Sequence, residues 1–357
     1  MECGISLYLS SGADFASKIV EKASLAGIHY AFTSLQIPEE DGIDDAAGAK
    51  KLLALCRDHN IKLICDISPA TLAKLGCRDY FELRRLGIEY VRLDDGFDAR
   101  QTVELSGSFH VVFNASTITE EDIAAWRRAG ADFTRFSACH NFYPKPLTGL
   151  SIDYVAAVNR RLKDLGFKTM AFVPGDETLR GPLMQGLPTV EAHRGDTGDE
   201  LVCDMLELGS VATDIVLIGD PDVSDHVWQR IGELSCGYVS LGCEVEEPFH
   251  YIFDRAQHDR PDSSPWVLRS QESRCWKDVP EAPEADRHGE VQVQPGDILM
   301  STKAYGRYTG ELEIARQSFA LDARDRIIGH IAESDRIFLP YLVRGAGFRL
   351  RNVRRSL

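Results

Sequence analysis

Several apolar, strand-like runs in this chain end on a side chain that can carry charge or form directional hydrogen bonds. KLICD closes on Asp66, EYVRLD on Asp94, HVVFN on Asn114 and DIVLIGD on Asp220, while FTRFSAC is followed by His140 and Asn141. Carboxylates, amides and imidazoles gathered in this way are the groups that move protons, steady a developing positive charge or hold hydroxyls. In a β/α barrel the strand ends and the loops after them form the face where chemistry is done. The pattern reads as an enzyme.

The elements that must position these residues can be placed before residue 225. Strand candidates fall at 4–9, 29–35, 62–67, 89–94, 110–115, 132–138, 168–174 and 214–220, with helix-like stretches between them. TITEED and LSIDYV offer Thr or Ser caps with acids in the first turn. Strands alternating with helices predict a parallel sheet. Eight such units in about 230 residues fit a closed (β/α)8 barrel of the TIM type. A doubly wound open sheet is the runner-up, although no G-x-G-x-x-G follows the first strand to support dinucleotide binding. Long connections follow strand six (YPKPLTGL) and strand seven (175–199), as expected of loops that cover a site. After residue 236 the texture changes. A Pro- and acid-rich stretch gives way to short β-like runs separated by turns such as Pro295-Gly296-Asp297. The fold class expected is α/β, with a barrel catalytic domain at 1–236 and a small all-β domain at 237–357.

Strand side chains alternate between two faces. With Leu63, Cys65 and Ile67 set against helices, Asp66 faces the barrel axis. The same reasoning turns Arg92 and Asp94, Asn114, Arg135 and Ser137, Asp220, and Ser6 and Tyr8 inward. Neighbours on a strand diverge, so Asp95 is expected at the surface rather than in a dyad with Asp94. The arginines would at the least neutralise the acids. Buried pairs stabilise little by themselves, however, and several at the functional end favour a site. Cys139-His140 invites a metal reading with Asp66 or His193, but the spacing matches no zinc pattern. Cys139 is read as a small buried apolar residue.

The formal net charge is −15, with 55 acidic against 40 basic residues, so neither nucleic acid nor an anionic membrane is an expected partner. The basic tail 349–355 reads as solvated. Nine scattered cysteines without a CxxC pair favour a reducing compartment. No signal peptide or membrane-length apolar run is visible, and a cytoplasmic location is expected.

The run CHNFYPKPLTGLS (139–151), with FTSLQIPEE (32–40), VRLDDGF (91–97) and GLPTVEAHR (186–194), resembles the bacterial 6-phospho-N-acetylmuramidase family over essentially the whole chain. The resemblance implies an N-terminal β/α barrel and a C-terminal cyclophilin-like β domain. It also implies hydrolysis of the β-1,4 bond in N-acetylmuramic acid 6-phosphate–N-acetylglucosamine, a small-molecule partner, during cell-wall sugar recycling. No cofactor or metal is expected, and a homo-oligomer is compatible.

Glycoside cleavage usually uses two carboxyl groups in different protonation states. Asp94 and Asp66, close to Arg92 or Arg135, are expected ionised, as nucleophile or charge stabiliser. Glu191 is the first choice for a proton donor in a drier place, and Glu177 the second. A 2-acetamido sugar also permits a substrate-assisted route in which the amide oxygen attacks. Asn114, Asn141 and Tyr143 would hold hydroxyls or the acetamido group. Lys145, His193 and Arg194 would hold phosphate or lactate, with Arg180 a further cation above the mouth. Tyr8, Ser34, Arg135 and His140 complete the expected sugar-binding set. Rival readings are a metal-dependent barrel hydrolase or lyase using Asp66, His140 and Asp220, and a non-catalytic sugar-phosphate-binding protein.

Overall fold

A computed structural model describes residues 1–34, 45–67, 69–93, 97–277, 280 and 291–353, with only the backbone of residues 45, 46, 69, 70 and 74. Asp94, Asp95 and Gly96 lie outside the described residues, as do residues 35–40 of FTSLQIPEE and most of the Pro- and acid-rich connection. The chain divides into two compact units, Met1–Ser235 and Cys236–Leu357.

In the first unit eight parallel strands close into a barrel in sequential order. They are β1 (Glu2–Ser6), β2 (Tyr30–Ser34), β3 (Lys62–Ile67), β4 (Tyr90–Leu93), β5 (His110–Asn114), β6 (Phe136–Cys139), β7 (Lys168–Val173) and β8 (Ile215–Ile218). Among the described residues, the helices around it are α1 (Ala13–Leu25), α2 (Asp45–Asp58), α3 (Pro69–Leu75), α4 (Tyr80–Arg85), α5 (Ala99–Ser106), α6 (Glu120–Arg128), α7 (Ile152–Asp164), α8 (Gly198–Ser210) and α9 (Asp225–Ser235). Two of their starts are written in the sequence. Thr119 and Asp122 form a reciprocal capping box on α6, and the Ser151 hydroxyl accepts the Tyr154 N–H at the start of α7. The expected Thr and Ser caps are therefore present.

Tyr30, Phe32, Ile64, Tyr90, Val112, Cys139, Met170, Phe172, Ile215 and Leu217 form one buried cluster drawn from β2 through β8, which the barrel interior alone brings together. Alternation from these positions fixes the phase of every strand. Asp66, Arg92, Asn114, Ser137 and Asn141 share the interior face. Asp220 does not: Ile215 and Leu217 point inward, so Gly219 does too and Asp220 points out, contrary to the sequence expectation. Both faces of IVLI are buried and apolar, which leaves its phase unreadable from pattern.

The second unit is mostly sheet. Its long strands are β9 (Val239–Val245), β13 (Asp297–Ser301), β16 (Asp325–Ile331) and β17 (Gly347–Asn352). Its short strands are β10 (Gln257–His258), β11 (Val267–Arg269), β12 (Gln292–Val293), β14 (Leu312–Ala315) and β15 (Phe319–Ala320). Seven of these form one sheet in the order β10-β17-β9-β16-β13-β14-β11, and β12 pairs separately with β15. β9 pairs in parallel with β17 and antiparallel with β16. Leu241, Ile298, Ile314, Phe348 and Leu350 are buried in its core.

Gly219 shows how tightly the barrel mouth is assembled. A Cβ there would lie 2.3 Å from the Leu187 carbonyl oxygen, on the loop that follows β7. Backbone must move to admit it, at a cost of about 1–3 kcal/mol. Gly219→Ala should lower the urea midpoint accordingly at unchanged slope; an unaltered midpoint would show that the loop does not sit against β8 as described.

Candidate active site

Strand register places the acid. Ser34, Asp66 and Arg92 are direct neighbours across β2, β3 and β4. All lie one step above the apolar interior, since Phe32, Ile64 and Tyr90 occupy the inward positions below them. The Arg92 guanidinium donates to Asp66 Oδ1 at 2.8 Å, and its other terminal nitrogen donates to Asn141 Oδ1. Asp66 and Arg92 side chains are 15 % and 12 % exposed, so the pair is neither sealed nor freely solvated. Three strands thus contribute to one polar layer, as the sequence reading expected for Asp66 and Arg92. Asn114 borders this layer, its Oδ1 accepting the Ser116 N–H at 3.1 Å. Beneath the polar layer, Phe32, Phe142 and Phe172 meet edge to face with centroids 5.1–6.2 Å apart. Phe142, half-buried, closes the interior from above and was not singled out by sequence reasoning. An aromatic floor beside carboxylate, amide and guanidinium suits a sugar, whose ring carries both apolar C–H faces and hydroxyls.

The two motifs that carried the family resemblance prove to be two halves of one joint. Tyr143 N–H donates to Pro188 O, Leu150 N–H to Thr189 O and Glu191 N–H to Leu150 O, each at 2.9 Å. Thr189 Oγ1 donates to the Asn141 carbonyl and accepts the Phe172 N–H, so it ties both loops to β7. The Glu191 carboxylate takes the Leu147 and Gly149 N–H groups at 2.7 Å each, and Arg194 at 2.7 and 2.8 Å. Leu147 adopts φ 66°, in the left-handed region, where its N–H reaches Glu191. Gly149 has no room for a side chain, since a Cβ would meet Glu191 Oε2 at 2.6 Å. Arg194 also donates to the carbonyls of Tyr143, Gln185 and Gly186.

This joint corrects several expectations. Glu191 is not a protonated acid in a dry pocket: Arg194 first, then the two backbone N–H groups, hold its carboxyl down at about 2. Arg194, whose guanidinium is spent on Glu191 and three carbonyls, is not placed to take an anion. His193 is buried and points at α8, where Nε2 lies 2.8 Å from Glu207 Oε2. Burial pushes its imidazole down. His140 is fully buried, with Nε2 donating to Asn159 Oδ1 of α7 at 3.0 Å, and burial pushes it down as well. Cys139 and Asn141 point inward, so His140 between them must point out. Cys139 itself is an interior residue whose thiol burial pushes up to about 12.

Arg135 lies at the opposite end of the barrel. It sits in a 3-10 turn before β6, and its charge acts on His110 together with Lys168 and Lys62, all at the starts of strands. Asp220 accepts the N–H groups of Gly175, Arg180 and Leu187, each at 2.9 Å, and so fastens the loop after β7 to β8. His140 and Asp220 are thus committed to other partners, which removes two of the three residues of the metal reading. Among the described residues, no group of three or more His, Cys, Asp or Glu is placed to hold a metal ion.

The remaining expected residues are distributed around the rim. Tyr8 is buried with Leu187 and the flank of Phe142, its hydroxyl donating to Gly219 O at 2.5 Å, and burial pushes its phenol up. Ser34 is buried beside Asp66. Tyr143 is half-buried and Lys145 exposed on the loop after β6; Glu177 is exposed on the loop after β7. The second unit has its own groove of about 650 Å³, but Glu244, Glu246 and Glu247 line it, a poor setting for a phosphorylated ligand.

Fold and mouth define a β/α-barrel enzyme with a polar layer over an aromatic floor at the strand ends. The sequence matches the family described as 6-phospho-N-acetylmuramidase, N-terminal, over residues 3–233 and 6-phospho-N-acetylmuramidase, C-terminal, over residues 240–351. The chain belongs to the 6-phospho-N-acetylmuramidase family and is a glycosidase. It is similar to a conserved protein of unknown function from Enterococcus faecalis, at 28 % identity and TM-score 0.72 over 99 % of this chain and 97 % of that one. It is also similar to an uncharacterized B. cereus protein, at 25 % identity and TM-score 0.73 over 98 % and 99 %. No curated protein matches it. Among the described residues, no helix is long and apolar enough to cross a membrane.

The joint makes a pH-dependent contribution whose sign is fixed. Glu191 falls from its usual 4.5 to about 2 on folding, so its contribution is full above about pH 4.5 and is lost as the pH falls towards 2. The stability difference between wild type and Glu191→Gln, measured by urea unfolding across this range, should shrink on acidification. A difference that stays constant would mean the carboxylate is not held as described.

Proposed function

We propose that this enzyme hydrolyses the β-1,4 bond of N-acetylmuramic acid 6-phosphate–N-acetylglucosamine, releasing N-acetylglucosamine in the recycling of cell-wall sugars in the cytoplasm. The family match over both units supports the substrate. The observation that carries the chemistry is the Asp66–Arg92–Asn141 layer over an aromatic floor. We read the sugar ring as resting on Phe142, with Asn114, Asn141 and Tyr143 around its hydroxyls and acetamido group. In this reading Asp66, held by Arg92, is the carboxylate that stabilises the oxocarbenium-like transition state or orients the acetamido group for attack. Asp94, which follows β4 in the sequence, is the second acid of the proposal. The C-terminal sheet unit is read as the cyclophilin-like domain of the family, an inference supported by its mixed seven-stranded sheet.

The test is chromatographic detection of N-acetylglucosamine released from the phosphorylated disaccharide. Asp66→Asn should reduce kcat by about 10²–10⁴-fold while leaving the unfolding midpoint within reach of wild type. Near-normal turnover in Asp66→Asn would remove it from the chemistry. A wild-type enzyme that cleaves neither the phosphorylated nor the plain disaccharide would defeat the reaction itself.

A further inference from the structure

We propose that Arg180 is the residue by which the barrel recognises the phosphate of its substrate; the inference rests on the reaction proposed above and adds its specificity determinant. A phosphate monoester carries close to two negative charges at neutral pH and is matched by the planar N–H fork of a guanidinium. The mouth must therefore keep a cation that its own carboxylates have not consumed. Arg92 is occupied by Asp66 and Asn141. Arg194 is occupied by Glu191 and three carbonyls. Lys22 of α1 faces Asp222 and Asp225. Lys62, Arg135 and Lys168 are at the far end of the barrel. Lys145 stands exposed, a strongly hydrated point charge without a fork.

Arg180 differs from all of these. Its guanidinium carbon lies 4.2 Å from the centre of the Tyr8 ring. Its charge acts on Tyr8 and on the Asp220 carboxylate, but among the described residues no carboxylate oxygen comes within ion-pair distance of it. Stacking on an aromatic face fixes the plane of a guanidinium while leaving its N–H edge available. The platform is rigid: Tyr8 is 3 % exposed and its hydroxyl is bonded to the Gly219 carbonyl. The backbone beneath the side chain is fixed too, because the Arg180 N–H is held by Asp220 Oδ1 at 2.9 Å. Asp220 lies near enough for the Arg180 charge to act on it, but its carboxylate oxygens are taken up by three backbone N–H groups rather than by the guanidinium. Arg180 thus stands on the loop after β7, fastened to the end of β8, and it is between the loops after strands seven and eight that β/α barrels often bind phosphate.

The substrate carries a second anion, the lactyl carboxylate, so the test must separate the two. Wild type, Arg180→Ala and Arg180→Lys are compared by kcat/KM on the phosphorylated disaccharide and by the inhibition constant of the same disaccharide without phosphate. Arg180→Ala should lose about 10- to 100-fold in kcat/KM, mostly through KM, with Arg180→Lys recovering part of it. The inhibition constant of the unphosphorylated compound should stay near wild type, which also shows that the mouth is intact. Equal loss with both compounds would assign Arg180 to the carboxylate or to the fold and overturn the proposal. Unchanged kcat/KM in Arg180→Ala would overturn it outright while leaving the reaction standing. A wild type that cleaves no disaccharide would overturn the reaction and this inference together.

Discussion

Arg194 donates two hydrogen bonds to the Glu191 carboxylate, and one wall of the barrel mouth hangs from them. The carboxylate gathers the N–H groups of Leu147 and Gly149, while the guanidinium gathers the carbonyls of Tyr143, Gln185 and Gly186. Loops from two strands are thereby closed on each other through an ion pair whose remaining hydrogen-bonding capacity is used on backbone. A buried or half-buried charge is tolerated when its lone pairs and protons are all engaged, and this pair meets that condition. Residues that face the sugar in the proposed function, Asn141 and Tyr143 among them, take their positions from it.

The second constraint is the step from apolar to polar along the barrel axis. Phe32, Ile64 and Tyr90 fill the interior, and Ser34, Asp66 and Arg92 begin immediately above. The pleat permits nothing gradual, because inward positions come every second residue. Asp66 therefore has hydrocarbon below it, a guanidinium beside it and the mouth above. That gives a carboxylate a fixed orientation at the rim of the barrel, a requirement for acting on a substrate.

Much of this was legible in the sequence, and the failures have definite causes. The eight strands and their order could be read because parallel strands between amphipathic helices leave a repeating signature. Asp66 and Arg92 were placed correctly because apolar neighbours fixed their phase. His140 was misplaced although the same alternation, carried two residues past Ser137, turns Cys139 and Asn141 inward and His140 out. Asp220 had no such signal, since its strand is apolar on both faces. Arg135 was read as strand where the chain makes a 3-10 turn, which puts it at the wrong end of the barrel. Glu191, His193 and Arg194 were expected to meet the substrate because charged residues in a long loop look available. Glu191 and Arg194 take each other three residues apart, but the Leu147 and Gly149 N–H groups, the Tyr143 carbonyl and the Glu207 carboxylate that complete these contacts lie further off in sequence, where no local pattern reports them. Arg180 reads in the sequence as one cation among several, and only comparison with the partners of Arg92, Arg194 and Lys22 and with the exposed Lys145 distinguishes it.

The loop after β7 is among the longest connections in the barrel unit, yet Asp176, Asp220, Thr189, Glu191 and Arg194 each bind it to something that does not move independently. Its conformational entropy was surrendered during folding, not at the moment of capture. A ligand arriving on this side meets a preformed contour and pays no reorganisation penalty there. Under the proposed function, discrimination on this flank operates from first encounter, through shape and charge already in register.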